Sequence, residues 1–219
     1  MPPARRTSLR LAPTARRRAE TADGQPRLER IRAAARQHFA ERGFAAASMR
    51  AIAAYAGITI STLYFHCTTK EQLLFDVLMD GMHQLSQGLR ASIDAAAPTW
   101  ADRLTAAIAF HVQFCAEQAF GTAVSKTDLL DLTPEHRAQY VAVRDEYERQ
   151  FRDLIRWGIA VGEFRRVDPV LASFALIGIG QTVGRWYQPG GRLTPAEIGA
   201  QYAELMLHAL RGEAAALPA

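Results

Sequence analysis

The chain predicts an all-α fold of two helical units, and three observations carry that expectation. Apolar residues recur at three- and four-residue spacing from about Arg27 to Arg211, with no strand-like alternation of useful length. Ala is abundant, Gly and Pro are sparse inside the long apolar stretches, and β-branched runs are few, a balance that favours helix over sheet. Several segment starts also carry the side-chain oxygens that satisfy orphan backbone N–H groups at a helix N-terminus.

These starts mark nine helices, at about 27–42, 48–56, 59–66, 70–97, 99–119, 122–131, 134–162, 168–187 and 194–211. Thr69 with Gln72 reads as a reciprocal capping box, and Thr99 with Asp102 as a weaker one. Thr133 and Asp168 each precede a proline, placing a cap before Pro134 and Pro169 at the first helical position. Thr194-Pro195-Ala196-Glu197 combines cap, proline and box glutamate. The expected organisation is a disordered Arg-rich arm over 1–26, a compact unit over 27–72, a larger unit over 73–212 and a flexible tail over 213–219. The boundary falls inside the fourth helix, so the two units share a rigid element.

Charge is distributed unevenly. The first 70 residues hold 13 Arg and Lys against four acidic residues, whereas the rest hold 13 against 18, so a +9 end is joined to a −5 body. That polarity is an electrostatic footprint of nucleic-acid binding. Cys67 and Cys115 lie far apart in no metal-ligand spacing and read as free thiols of a reducing compartment, which makes the cytoplasm the expected location. No apolar run has membrane-spanning length, and the Arg-bearing start lacks the apolar core of a secretory signal.

The most informative stretch runs from Gly43 to Lys70. Ser48 caps a helix whose inner face is Ile52, Ala53 and Ala56; Gly57 tolerates the left-handed turn; Ile58 tucks under the corner; a second short helix from Thr59 buries Leu63. Small residues at Ala53 and Ala56 let the two helices approach, the packing logic of a helix-turn-helix. In that motif the second helix enters the major groove, which puts Thr59, Ile60, Ser61 and Thr62 at base edges. Ile60 suits thymine methyls, and the hydroxyls suit bases or phosphates. Tyr64, His66 and Lys70 end the helix with donors for phosphate oxygens, and Arg50 adds a positive charge beside the backbone. Lys70 opposes the dipole of the helix it begins, which hints at an external anion.

The order Ile52-Ala53, Ala56-Gly57-Ile58, Thr62-Leu63-Tyr64, His66 and Lys70-Glu71-Gln72-Leu73 resembles the DNA-binding signature of the TetR family, with Phe39, Gly43 and Phe44 agreeing ahead of it. The resemblance covers about residues 27–78. It implies phosphate contacts for Ser48, Arg50, Thr62, Tyr64, His66 and Lys70, and base-facing positions for Thr59, Ile60, Ser61 and Phe65. Two positions depart: Ile60 replaces a polar or basic residue, and Cys67 replaces an apolar one, for which a buried cysteine is a small hydrophobic substitute.

Residues 71–219 hold no His-x-x-x-His or Cys-x-x-Cys pair, no Gly-x-Ser-x-Gly and no phosphate loop, so neither an enzyme nor a metal site is expected. Gly178, Gly180 and Gly184 interrupt a helical pattern at a cost of about 1 kcal/mol each against Ala, which suggests close helix–helix approach. The resemblance implies homodimerisation through the last two helices as a four-helix bundle, placing Phe174, Ile177, Gln181, Gly184, Trp186, Tyr202 and Leu205 in the interface. The middle helices should enclose a pocket for a small hydrophobic effector, with Phe110, His111, Phe114, Tyr147, Phe151 and Ile155 as walls and His111, Gln113, Arg152 and Arg156 as polar anchors. The text from Gly184 to Ile198 also resembles TetR-type regulators of fatty acid and steroid catabolism, which implies an acyl-CoA thioester. The expected function is a repressor released from a palindromic operator by its effector. An activator of the same fold and a helical adaptor without specific DNA binding are the alternatives.

Overall fold

A computed structural model of the chain describes residues 14–118 and 129–211, with side chains from Arg27 onward. The described residues form eight helices: α1 (Thr14–Ala46), α2 (Met49–Tyr55), α3 (Ile60–His66), α4 (Lys70–Ala95), α5 (Trp100–Glu117), α6 (Pro134–Ala160), α7 (Pro169–Trp186) and α8 (Pro195–Arg211). Most of the helix expected over 122–131 lies outside the described residues, as do 1–13 and 212–219. α1 begins at Thr14, inside the stretch 1–26 expected as a disordered arm. Its first turns read Thr-Ala-Arg-Arg-Arg-Ala-Glu, and Ala and Arg are strong helix formers. Gly43 (φ 74°, ψ 160°), in a conformation open to glycine, breaks α1 after Arg42, the expected end of this helix, and a short turn to Ala46 follows.

Capping chemistry sets most helix starts. The Ser48, Thr59, Thr69, Thr99 and Thr133 hydroxyls each accept from the backbone N–H three residues on, and the Asp168 carboxylate accepts from Val170 and Leu171. The box at Thr194 is reciprocal: Glu197 N–H donates to the threonine hydroxyl at 3.3 Å, and the Glu197 carboxylate accepts from Thr194 N–H at 2.8 Å. The expected box at Thr69 is only half formed, since the Gln72 amide turns forward to Asp76 at 2.9 Å.

Two apolar cores result. The smaller gathers Ile31 and Ala35 of α1, Ile52 and Ala53 of α2, Leu63 of α3, and Leu73 and Val77 of α4. The larger surrounds α5, which packs against α4, α6, α7 and α8 and buries Leu104, Ile108 and Val112 against Phe151, Ile155 and Leu176. On α4, Leu73 and Val77 join the head core, whereas their neighbours Leu74 and Leu78 join the body core. One helix is thus built into both units.

Three glycines permit close approach to α5, Gly88 of α4 beneath the Phe110 ring among them. A Cβ on Gly199 would stand 2.5 Å from the Ala109 carbonyl oxygen, and one on Gly180 2.4 Å from His111 Nε2. Gly178, by contrast, has nothing within 4 Å of such a Cβ.

Candidate DNA-binding head and effector cavity

Helices α2 and α3 form the turn that the sequence predicts. Ala56 ends α2, Gly57 takes φ 67°, and Ile58 N–H returns to the Ala53 carbonyl at 3.0 Å, closing a left-handed C-cap. Leu63 faces inward and is fully buried, and Ser61, Tyr64 and Phe65 of α3 point outward. Phe65 is 86% exposed and Tyr64 49%, an unusual placement for two aromatic rings on one short helix. Ser61 and Arg50 are also exposed, and the His66 ring meets Phe65 edge-on at 5.5 Å. The Thr59 and Thr62 hydroxyls are 2.8 Å apart, and Ser48 holds Ala51 N–H at 3.2 Å, so these oxygens serve the helix starts.

Two expected contact residues turn inward. Ile60 is half-buried against the head core, where it braces α3. The Lys70 ammonium reaches back to α1, donating to the carbonyls of Phe44 at 2.7 Å, Ala45 at 3.3 Å and Ala47 at 2.9 Å. Three donors meet three acceptors. The positive charge that opposes the α4 dipole thereby sits against the carbonyls at the end of α1.

In the body, α4, α5, α6 and α7 line a cavity of ≈ 100 Å³ that opens to solvent at its mouth. Val77, Leu78, Met82, Leu85 and Phe114 supply apolar wall, and Gln84, Arg144 and Gln181 stand at the exposed rim. The floor carries a hydrogen-bonded pair: His111 Nδ1 lies 2.8 Å from the Tyr147 hydroxyl and Nε2 lies 3.1 Å from the Ile177 carbonyl. A carbonyl only accepts, so Nε2 bears the hydrogen; Nδ1 of the neutral ring then accepts from Tyr147. Burial pushes His111 down to about 4, against the opposing pull of the Ile177 carbonyl, and pushes the neighbouring Cys115 thiol up to about 12. Burial also raises the Tyr147 phenol well above its ordinary value. At neutral pH the floor is therefore polar but uncharged.

Of the residues predicted to bind effector, His111, Phe114 and Tyr147 line this cavity and the others do not. Phe151 and Ile155 are fully buried in the core, one layer behind the wall. Phe110 instead lies over Gly88 of α4, its ring filling the space of the missing side chain. Arg152 is paired with Glu148 on its own helix and borders a separate surface groove, and Arg156 is paired with Asp153 at 3.3 Å. Gln113 turns to Glu117 at 2.8 Å. Sequence reasoning missed the contributions of α4, Tyr140 and Arg144 of α6, and above all Arg36, which enters from α1.

The outer surface of α7 and α8 exposes Leu171, Phe174, Trp186 and Leu205, each at least half accessible. Tyr202 is half-buried beside them and Gln181 is exposed. Gly184 is buried within the protomer, and Ile177 is half-buried, its carbonyl accepting from His111. Among the described residues no helix is long and apolar enough to cross a membrane, and no group of three His, Cys, Asp or Glu forms a metal site.

Comparison with known proteins agrees with this division. A family model described as bacterial regulatory proteins, tetR family, matches residues 31–77, and one described as tetracyclin repressor-like, C-terminal domain, matches residues 97–210. The HTH-type transcriptional repressor KstR2 of Mycolicibacterium smegmatis is 29% identical over 171 residues, 77% of this chain and 83% of that protein. A tetR-family regulatory protein from Rhodococcus RHA1 superposes with a TM-score of 0.76 at 31% identity, covering 84% of this chain and 96% of its own. AibR in complex with isovaleryl coenzyme A and operator DNA superposes with a TM-score of 0.72 at 27% identity, covering 84% and 97%. With a helix-turn-helix head and a cavity on one shared helix, the chain belongs to the TetR family and is a ligand-responsive DNA-binding transcriptional regulator.

Proposed function

We propose that this regulator is a cytoplasmic repressor without catalytic activity, released from a palindromic operator by an acyl-CoA thioester or a similar amphipathic molecule. The observation that carries the proposal is the pairing of an outward-facing recognition helix with an apolar-walled cavity whose floor is uncharged, the two joined through α1 and α4. Phe65, Ser61 and Thr59 face the bases, and Tyr64, His66, Arg50, Ser48 and Thr62 track the phosphates. Ile60 and Lys70 act indirectly, by holding α3 and the end of α1 in place.

The exposed apolar residues of α7 and α8 pair with the same face of a second copy. The resulting two-fold dimer presents two α3 helices to successive major grooves. A thioester that binds better to a dimer with mis-spaced heads lowers operator affinity by linkage. The effector class draws support from the isovaleryl coenzyme A in the AibR complex and from a cavity with apolar walls and a cationic rim.

Fluorescence anisotropy on DNA from the protein's own promoter region, over a salt series and beside a scrambled duplex, tests this reading. Sequence-selective binding that falls steeply with salt and is reversed by a thioester supports it. Equal affinity for both duplexes contradicts it.

A further inference from the structure

We infer that Arg36 reads the negatively charged head of the effector at the cavity mouth, so that the DNA-binding head senses ligand through its own first helix. The inference deepens the reading of the cavity as the effector site and rests on it.

The Asp80 carboxylate on α4 is held by two guanidinium groups of α1. Arg32 Nη1 donates to Oδ1 at 3.0 Å, Arg36 Nη2 donates to Oδ2 at 3.0 Å, and Gln84 Nε2 adds a third bond to Oδ2 at 2.8 Å. Two cations on one anion leave a surplus positive charge between α1 and α4. Arg32 has Oδ1 to itself, whereas Arg36 shares Oδ2 with Gln84. Arg36 can therefore leave while Asp80 stays neutralised by Arg32.

Arg36 is also the member of this cluster that lines the cavity. Its guanidinium offers five donors in a planar fork suited to carboxylate or phosphate. Across the mouth, Arg144 is tied to Asp145, 3.0 Å away on the exposed surface of α6. The floor offers no compensating cation, because His111 is neutral and spends both ring nitrogens on Tyr147 and Ile177. An amphipathic anion thus has one favourable orientation, with its charge at the mouth, on Arg36 with Arg144 at the rim, and its apolar chain between Val77, Leu85 and Phe114.

The consequence for signalling is direct. Arg36 follows Ala35, whose side chain is fully buried in the head core, so displacement of Arg36 towards ligand bears on the head itself. The ligand then competes with Asp80 for one of the two ion pairs that join α1 to α4.

Isothermal titration calorimetry of the full chain with octanoyl-CoA and octanoyl-pantetheine tests this. The two probes share an acyl chain and a pantetheine arm, but only the first carries the nucleotide phosphates. The wild type should bind octanoyl-CoA at least roughly tenfold more tightly. Arg36→Gln should bring the two affinities within about threefold while leaving octanoyl-pantetheine unchanged. Asp80→Asn should act in the opposite direction, tightening octanoyl-CoA alone, because it frees Arg36. An unmoved affinity ratio in Arg36→Gln, equal weakening of both probes by Asp80→Asn, or no binding of either probe overturns the inference. Promoter DNA binding is measured on the same preparations. Its absence beside an intact anion preference removes the functional reading alone, and its presence beside an unmoved ratio removes the inference alone.

Discussion

Lys70 and Phe44 are joined twice: the ammonium donates to the Phe44 carbonyl at 2.7 Å and stands 4.3 Å from the centroid of its ring. The first residue of α4 thereby ties the end of α1 just ahead of the helix-turn-helix. Next to it, the Glu71 carboxylate accepts from Thr133 N–H at 2.9 Å and lies 2.8 Å from His136 Nδ1. The start of α6 is therefore fastened to the same point of α4, and the head meets the body there as well as at Asp80.

Replacing Lys70 by Met separates a capping role from a phosphate contact. Loss of hydrogen bonds from a charged donor to partly buried carbonyls should destabilise the protein by about 2 kcal/mol. Operator affinity should fall, yet the slope of log K against log salt should stay as in the wild type. A phosphate contact would instead reduce that slope by about one. Urea unfolding and anisotropy over a salt series read the two effects.

Phe65→Ala should behave in the reverse way. The ring is 86% exposed, so thermal stability should change by less than about 0.5 kcal/mol. Operator affinity should drop by about tenfold or more, a size expected for a base contact. Unchanged affinity would remove Phe65 from the DNA-facing set.

The glycines of the last helices divide by environment. Gly199→Ala places a methyl 2.5 Å from a backbone oxygen of α5 that cannot swing aside, and should cost about 2 kcal/mol or more. Gly178→Ala meets nothing within the protomer and should gain up to about 1 kcal/mol from helix propensity. Paired thermal melts decide this. Sedimentation of the second variant also reports whether its methyl disturbs a partner subunit.

His111 predicts a pH dependence of stability. Its folded pKa of about 4 lies below the ordinary value of 6.5, so the unfolded chain binds more protons between those limits. Stability from this group is complete above about pH 6.5 and declines as pH falls towards 4, by up to about 3 kcal/mol. His111→Gln should flatten that part of the stability–pH curve in urea titrations. An equal slope in the variant would assign the decline to other groups.

The head was legible in the sequence because its determinants are local. Ser48, Gly57 and Thr59 act within a few residues of their own positions, and the apolar spacing of Ile52, Ala53 and Leu63 fixes which faces meet. The cavity was not legible, because Phe110, Phe114, Phe151 and Ile155 share apolar helix faces whose crossing decides which one borders empty space. Only Phe114 does. A signal against Arg152 and Arg156 was present in the spacing, since Glu148 and Asp153 stand one helical turn before them and claim their charge. Lys70 and Arg36 gave no such signal. Their partners lie more than twenty residues away in sequence, and only the packing of α1 on α4 brings them together.

The central claim is that cavity and head are two ends of one equilibrium. Linkage requires that if a thioester lowers operator affinity by some factor, the operator lowers thioester affinity by the same factor. The most direct test titrates octanoyl-CoA into the free protein and into the operator-bound protein, beside anisotropy of operator binding with saturating thioester. The account predicts weakening in both directions, equal in size and at least about fivefold. Thioester binding of the same strength to free and operator-bound protein would contradict it.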